Sequence, residues 1–239
     1  MFAVRLDATG ATRFAKTYVG CASAPDVAPT AGLADADGDV TLVGSSSAHH
    51  VGFLGRVKAD GSVAFASFPG LSLGVATVFV VNAVAELPTT GYVVGGSTVD
   101  VTGSDVTSTP ATAVVGLDAI GHTLWSRRFT LLDAGAPVAS GFPGVHLSDD
   151  GGVVVAATAQ AVGGGVGGRV WAFEAVAKDG SLAGLDPSRA RIDDLGIADV
   201  TCGLTAAAWT PTLTAIATTV SSRAATAEVV TLAVERATP

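Results

Sequence analysis

Three lysines, one asparagine (Asn82) and one glutamine (Gln160) occur among 239 residues, and charged residues make up only 14% of the chain. The net charge is −8, with the acids scattered through turns. Phosphate binding needs a basic stripe, and none exists, so nucleic acid is excluded as the expected partner and an anionic membrane surface is disfavoured. Long apolar runs are missing too. Hydrophobic residues reach 49%, but Ala, Val and Leu are broken by Gly, Thr and Ser well short of a membrane span, so no membrane insertion is expected. Only two cysteines are present, Cys21 and Cys202, without metal-type spacing; they permit one disulfide and do not require it. No G-x-S-x-G elbow, zincin helix or P-loop is found. "MFAVRLD" runs straight into a strand pattern with no signal peptide. The chain reads either as a cytoplasmic protein or as a piece of something longer, and the repeat described next favours the second.

What is present is a repeat. "DATGATRFAKTY" (7–18) returns as "KADGSVAFASFP" (58–69) and "DAIGHTLWSRRF" (118–129). The turn glycines Gly10, Gly61, Gly121 and Gly180 are spaced by 51, 60 and 59 residues. Four residues before them stand Leu6, Val57, Leu117 and Val176; four after stand Phe14, Phe65, Trp125 and, breaking the pattern, Gly184. A second motif, around Thr41, Tyr92, Val153 and Leu213, repeats at 51, 61 and 60. Two motifs sharing one period mark repeated structural units.

Each period holds about four short runs bounded by Gly, Asp and Pro, and nothing sustains a helical period. The expected fold is therefore all-β, near-free of helix: a β-propeller of about four four-stranded antiparallel blades, because one meander cannot cover both of its faces and stacked neighbours can. As one domain over 1–239 it divides into a half-blade (1–19), blades at 20–70, 71–130 and 131–190, and an incomplete blade (191–239). Phe14, Phe65 and Trp125 are expected to wedge between adjacent blades, mostly buried and in equivalent positions, rather than to stack on a ligand. Closure has two readings. Either 12–18 pairs antiparallel with 229–235 in a four-bladed ring, or the hairpin 2–18 is a half-blade stub and the arc stays open.

At "FAVRLDATGATRFAKTY", "FLGRVKADGSVAFASF" and "TAVVGLDAIGHTLWSRRF" the chain resembles the bacterial β-propeller repeat of the SBBP type. That repeat reads roughly Phe-Val-x-Lys-Leu-Asp-x-x-Gly-x-x-x-Trp-x-x-x-Phe after a Val-x-x-Asp-x-x-Gly-x-Val-x-x-x-Gly hairpin. Arg5 and Arg56 occupy its lysine position, and the copy around Gly180 is degenerate. The resemblance implies a propeller, often on secreted or surface-attached bacterial proteins, hence an extracellular or cell-surface location. It implies no catalytic set.

The chemistry-bearing candidates are few. Asp35, Asp37 and Asp39 in "DADGD" alternate as calcium ligands do, but the glycine falls at position four and Ser46 at position twelve, which is not an EF-hand. An acidic hairpin turn is the reading, with these three residues the one candidate calcium set; no other cofactor is expected. "GGGVGG" (163–168) precedes a strand pattern, "RVWAFEAVA", so it is a loop and not a dinucleotide fingerprint. His49 and His50 would diverge on an extended segment. His146 sits in a run expected to be innermost. Function therefore divides three ways: a noncatalytic binding or scaffold module with a protein or carbohydrate partner, a structural subunit of a larger assembly, or a propeller enzyme of the polysaccharide-lyase or hydrolase kind. The apolar innermost runs argue against the last.

Overall fold

The structure, a computed structural model, describes residues 1–21, 24–46, 51–71, 76–87, 91–102, 105–106, 108–148, 152–159, 169–175, 179–181, 187–200 and 203–209. Among them are eighteen strands and no helix, as the turn-bounded apolar runs predict. An N-terminal hairpin joins β1 (Phe2–Leu6) to β2 (Thr12–Val19). A meander follows of β3 (Ala28–Ala34), β4 (Val40–Ser46), β5 (Val51–Val57) and β6 (Val63–Leu71). A second comprises β7 (Ala76–Leu87), β8 (Gly91–Thr102), β10 (Ala111–Asp118) and β11 (Thr123–Asp133), with the two-residue β9 (Asp105–Val106) and β12 (Ala136–Pro137) beside it. A third sheet holds β13 (Ser140–Leu147), β14 (Val153–Ala159) and β15 (Arg169–Ala175).

Three of the hairpins share one local geometry. In three hairpins the backbone closes alike: Asp7 N–H to Ala11 O at 2.9 Å, Lys58 N–H to Ser62 O at 2.8 Å, Asp118 N–H to His122 O at 2.9 Å. Gly10, Gly61 and Gly121 take φ of 85°, 77° and 86°, where a side chain is strained. Phe14 then lies opposite Arg5, Phe65 opposite Arg56 and Trp125 opposite Gly116, and each ladder carries a one-residue shift just after that pair. The recurring bulge fixes which face receives the aromatic. The second motif aligns less well. Thr41 pairs with Arg56 while Tyr92 pairs with Leu117, so these two are one residue out of structural equivalence.

Successive residues of one strand enter different cores, because side chains alternate across a strand. Phe53 packs with Ala24, Val27 and Phe68 against Met1 and Leu204; its neighbour Leu54 packs with Phe79, Val81 and Tyr92 of the following unit. Val115 belongs to that second core, and Val114 to a third with Trp125, Phe129, Val153 and Val155. Apolar cores thus lie between consecutive units. Two covered faces explain why residues 111–117 are buried without exception and read as a continuous apolar run.

The segment after Ser188 departs from the expectation of a last blade. β16 (Ala190–Asp194) pairs with β11, β17 (Ile197–Val200) with β6, and β18 (Thr205–Ala208) with β2. One strap therefore adds a strand to the fourth strand of two meanders and to the N-terminal hairpin, in reverse chain order. Leu195 and Ile197 enter the second core and Leu204 the first, so the strap is anchored by apolar side chains as well as by ladders. The run "TAAAW", expected to open the last blade, lies beside β2, and the expected pairing of 12–18 with 229–235 falls outside the described residues. Among the described residues β2 has β1 on one side and, along Lys16–Val19, β18 on the other.

Candidate functional site

Several side chains of the described residues meet where one hairpin packs on the next. Phe14 lies against the turn glycine Gly61, its Cδ2 2.9 Å from where a Cβ would stand; Phe65 Cε2 lies 3.2 Å from the same position on Gly121; Trp125 Cε3 lies 2.5 Å from it on Gly180. Each aromatic therefore docks on the turn of the unit after its own. Phe14 and Phe65 are half-buried, less than expected, and Trp125 is 7% exposed. The indole also covers Gly116 across its own hairpin, which explains why the bulkiest aromatic pairs with glycine where the other two pair with arginine.

Arginine secures the first two junctions. Arg5 donates from Nη1 to Gly38 O at 2.9 Å and to Ala59 O at 3.1 Å. Tyr18 donates its hydroxyl to Gly61 O at 3.0 Å; burial raises its pKa. Arg56 contacts Asp35 through Nη2, reaches Asp39 Oδ2 from Nε at 3.2 Å, and donates from Nη1 to Tyr92 OH at 3.1 Å, with Glu86 at 3.5 Å. The Tyr92 hydrogen bond, with the Asp39 hydrogen bond and the charge of Asp35, raises the guanidinium pKa despite its partial burial. A further ion pair, Arg128 with both oxygens of Asp100 at 3.1 and 2.8 Å, links β11 and β8 of one sheet.

The candidate cation ligands are therefore parts of a turn and a latch. Asp35 closes the hairpin, accepting from Asp39 N–H at 2.9 Å on its carboxylate, while Asp39 Oδ1 accepts from Ala59 N–H at 3.0 Å. Asp37 is exposed. The positive charge beside this pair is Arg56, and no group of three or more His, Cys, Asp or Glu suited to a metal occurs among the described residues. Of the histidines, His146 is exposed on β13 and His122 sits 3.3 Å from Asp118; His49 and His50 lie outside the described residues, as does the loop 163–168, though a strand does follow that loop. Cys21 is disulfide-bonded; Cys202, the chain's only other cysteine, lies outside the described residues.

Sequence reasoning placed Arg5 and Arg56 at the repeat's cationic position but did not foresee their partners. Asp35 and Glu86 stand 21 and 30 residues from Arg56, a separation that only the sheet packing brings together. Replacing Arg56 by methionine is expected to destabilise the chain by about 1–2 kcal/mol at pH 7, because Asp35 and Asp39 are left facing each other at a partly exposed site. Urea denaturation of the wild type and the variant, compared at constant m, checks the loss.

The hairpin turns give a second pH signature. Thr9 Oγ1 and the Thr9 and Ala11 amides hold the Asp7 carboxyl below its ordinary 3.8, and Ser62 does the same for Asp60. Asp118 is also lowered: desolvation pulls it upward, but the His122 and Ile120 amides and the His122 charge outweigh this. Folded values below unfolded ones mean stability that is full above about pH 4 and lost as pH falls through the folded values. The thermal midpoint should hold between pH 7 and 5 and drop below pH 4, less steeply in Asp118→Asn.

No protein-family model matches the chain, and no curated protein matches it.

Proposed function

We propose that the chain is a noncatalytic binding or scaffold module of β-propeller type, carried by a secreted or surface-attached bacterial protein. The observation that carries this reading is the use made of its charged groups. Arg5, Arg56, Asp35, Asp39, Glu86, Asp100 and Arg128 hold strands and units to one another, so they build a frame and not a reaction centre. Frames of this kind present variable loops to a protein or carbohydrate. The repeated period, the four-stranded meanders and the packing of each unit on the next support the propeller reading.

Saturable binding of the purified chain to insoluble polysaccharides or to immobilised extracellular proteins, unaltered by EDTA and without release of sugar or uronate products, is the expected outcome. Catalytic product release would overturn it in favour of an enzyme. A second reading, a structural subunit, draws on the exposed apolar side chains of the N-terminal hairpin, Phe2 at 66% and Leu6 at 53%.

A further inference from the structure

In the two complete meanders the third strand is flanked on both sides: β5 by β4 and β6, β10 by β8 and β11. β1 is their equivalent by its hairpin register, yet among the described residues it has one neighbour, β2. Its other edge is defined atom by atom. Met1 and Tyr18 exchange two bonds, Tyr18 N–H to Met1 O at 2.8 Å and the Met1 ammonium to Tyr18 O at 3.1 Å. Bonded pairs alternate along an antiparallel ladder, so Ala3 and Arg5 bond toward β2, while Phe2, Val4 and Leu6 direct their N–H and C=O groups outward. The side chains of the same three residues share one face and are 66%, 37% and 53% exposed. Trp209, 36% exposed, extends that apolar stripe, its ring centroid 5.0 Å from that of Phe2. At the turn, Gly10 has nothing within 4 Å of its would-be Cβ, although Gly61, Gly121 and Gly180 each hold an aromatic there. Nothing in the described chain covers this end.

We propose that β1 is a self-association edge whose occupant is β1 of a second copy of this chain. The sequence "FAVRL" is self-complementary under a two-fold axis through Val4. Antiparallel pairing about that axis sets Phe2 opposite the partner's Leu6, Val4 opposite the partner's Val4, and Leu6 opposite the partner's Phe2. All three outward pairs are of the doubly bonded type, and every cross-strand pair on the exposed face is apolar. The only charge within β1, Arg5, is on the other face and is engaged by Gly38 and Ala59. Two three-stranded sheets then become one six-stranded sheet with isologous symmetry, pairing the β1 edge that the described residues of each copy leave open.

Sedimentation equilibrium of the full chain tests this. A reversible dimer of the 23.5 kDa chain is expected. Val4→Pro removes one outward N–H, leaves the bonds to β2 intact, and should weaken the dimer by about tenfold or more. Val4→Thr, which keeps the amide and the β-branch, should retain it. With the native cysteine bonded, Val4→Cys should cross-link chain to chain with a short bismaleimide. Circular dichroism of Val4→Pro establishes that the fold persists. A wild-type chain that stays monomeric throughout the range, or a folded Val4→Pro that dimerises as wild type does, would overturn the proposal.

Discussion

Trp125→Ala is expected to destabilise the chain by about 3–5 kcal/mol, the largest loss of any single side chain in the repeat. The indole is 7% exposed and belongs to the core of Val93, Val114, Phe129, Val153 and Val155. It also fills the space over Gly116 in its own hairpin and over Gly180 in the next turn. Truncation therefore opens one void with three walls, two of them glycines without side chains to relax inward. Collapse is limited at such a site, which puts the loss at the upper end for aromatic truncations. A typical domain is stable by about 5–15 kcal/mol, so the variant should lie near its unfolding threshold at 37 °C. Phe14→Ala should lose much less: Phe14 is half-buried, and the described residues leave the Phe2, Val4 and Leu6 side chains of its hairpin exposed. Chemical denaturation of the two variants, read at constant m, checks both the size and the order. Equal losses would mean that the three aromatics are not ranked by their burial.

Gly61→Ala is expected to cost about 2–4 kcal/mol, and Gly10→Ala only about 1–2 kcal/mol. The pair isolates the socket from the turn. Both glycines close the same hairpin, with φ of 77° and 85°, and both donate their amide to the residue three before, at 2.8 and 3.0 Å. The backbone strain of a methyl group is therefore shared. Only the surroundings differ: at Gly61 the new Cβ would meet Phe14 at 2.9 Å and Lys16 at 3.1 Å, while at Gly10 it meets nothing within 4 Å. The excess at Gly61 is the overpacking of one unit against the next. Phe14→Leu in the Gly61→Ala background should recover part of that excess, a coupling that distant sites do not show.

The hairpins and the all-β character were legible because local chemistry writes them. A positive-φ turn wants glycine, the closing carboxylate wants Asp7 or Asp118, and an aromatic follows at the residue that faces the next unit. These requirements act within one hairpin, so they recur at one period, and the all-β character followed from them. The glycine's second duty was hidden, because Gly61 touches Phe14 from a unit 51 residues earlier and no local signal records that contact. The strap was illegible for a related reason. "ARIDD", "IADV" and "TAAA" are four- and five-residue runs whose partners are β11, β6 and β2. Nothing in such short stretches says whether they pair with each other or with distant edges. The exposure of β1 was not legible either: among the described residues Phe2, Val4 and Leu6 are exposed, whereas residues 113, 115 and 117 of β10 are fully buried.

The docking of each aromatic on the next turn is tested most directly by the α-proton shifts of the turn glycines in nuclear magnetic resonance. A proton standing where a Cβ would be at Gly61, Gly121 or Gly180 lies beside a ring, and its resonance should be displaced from the random-coil position by ring current; that of Gly10 should not. Phe14→Leu should return the Gly61 resonance toward random coil and leave Gly121 and Gly180 unchanged. Random-coil shifts at all four glycines, or a Gly61 shift indifferent to Phe14, would contradict the interlocking of successive units.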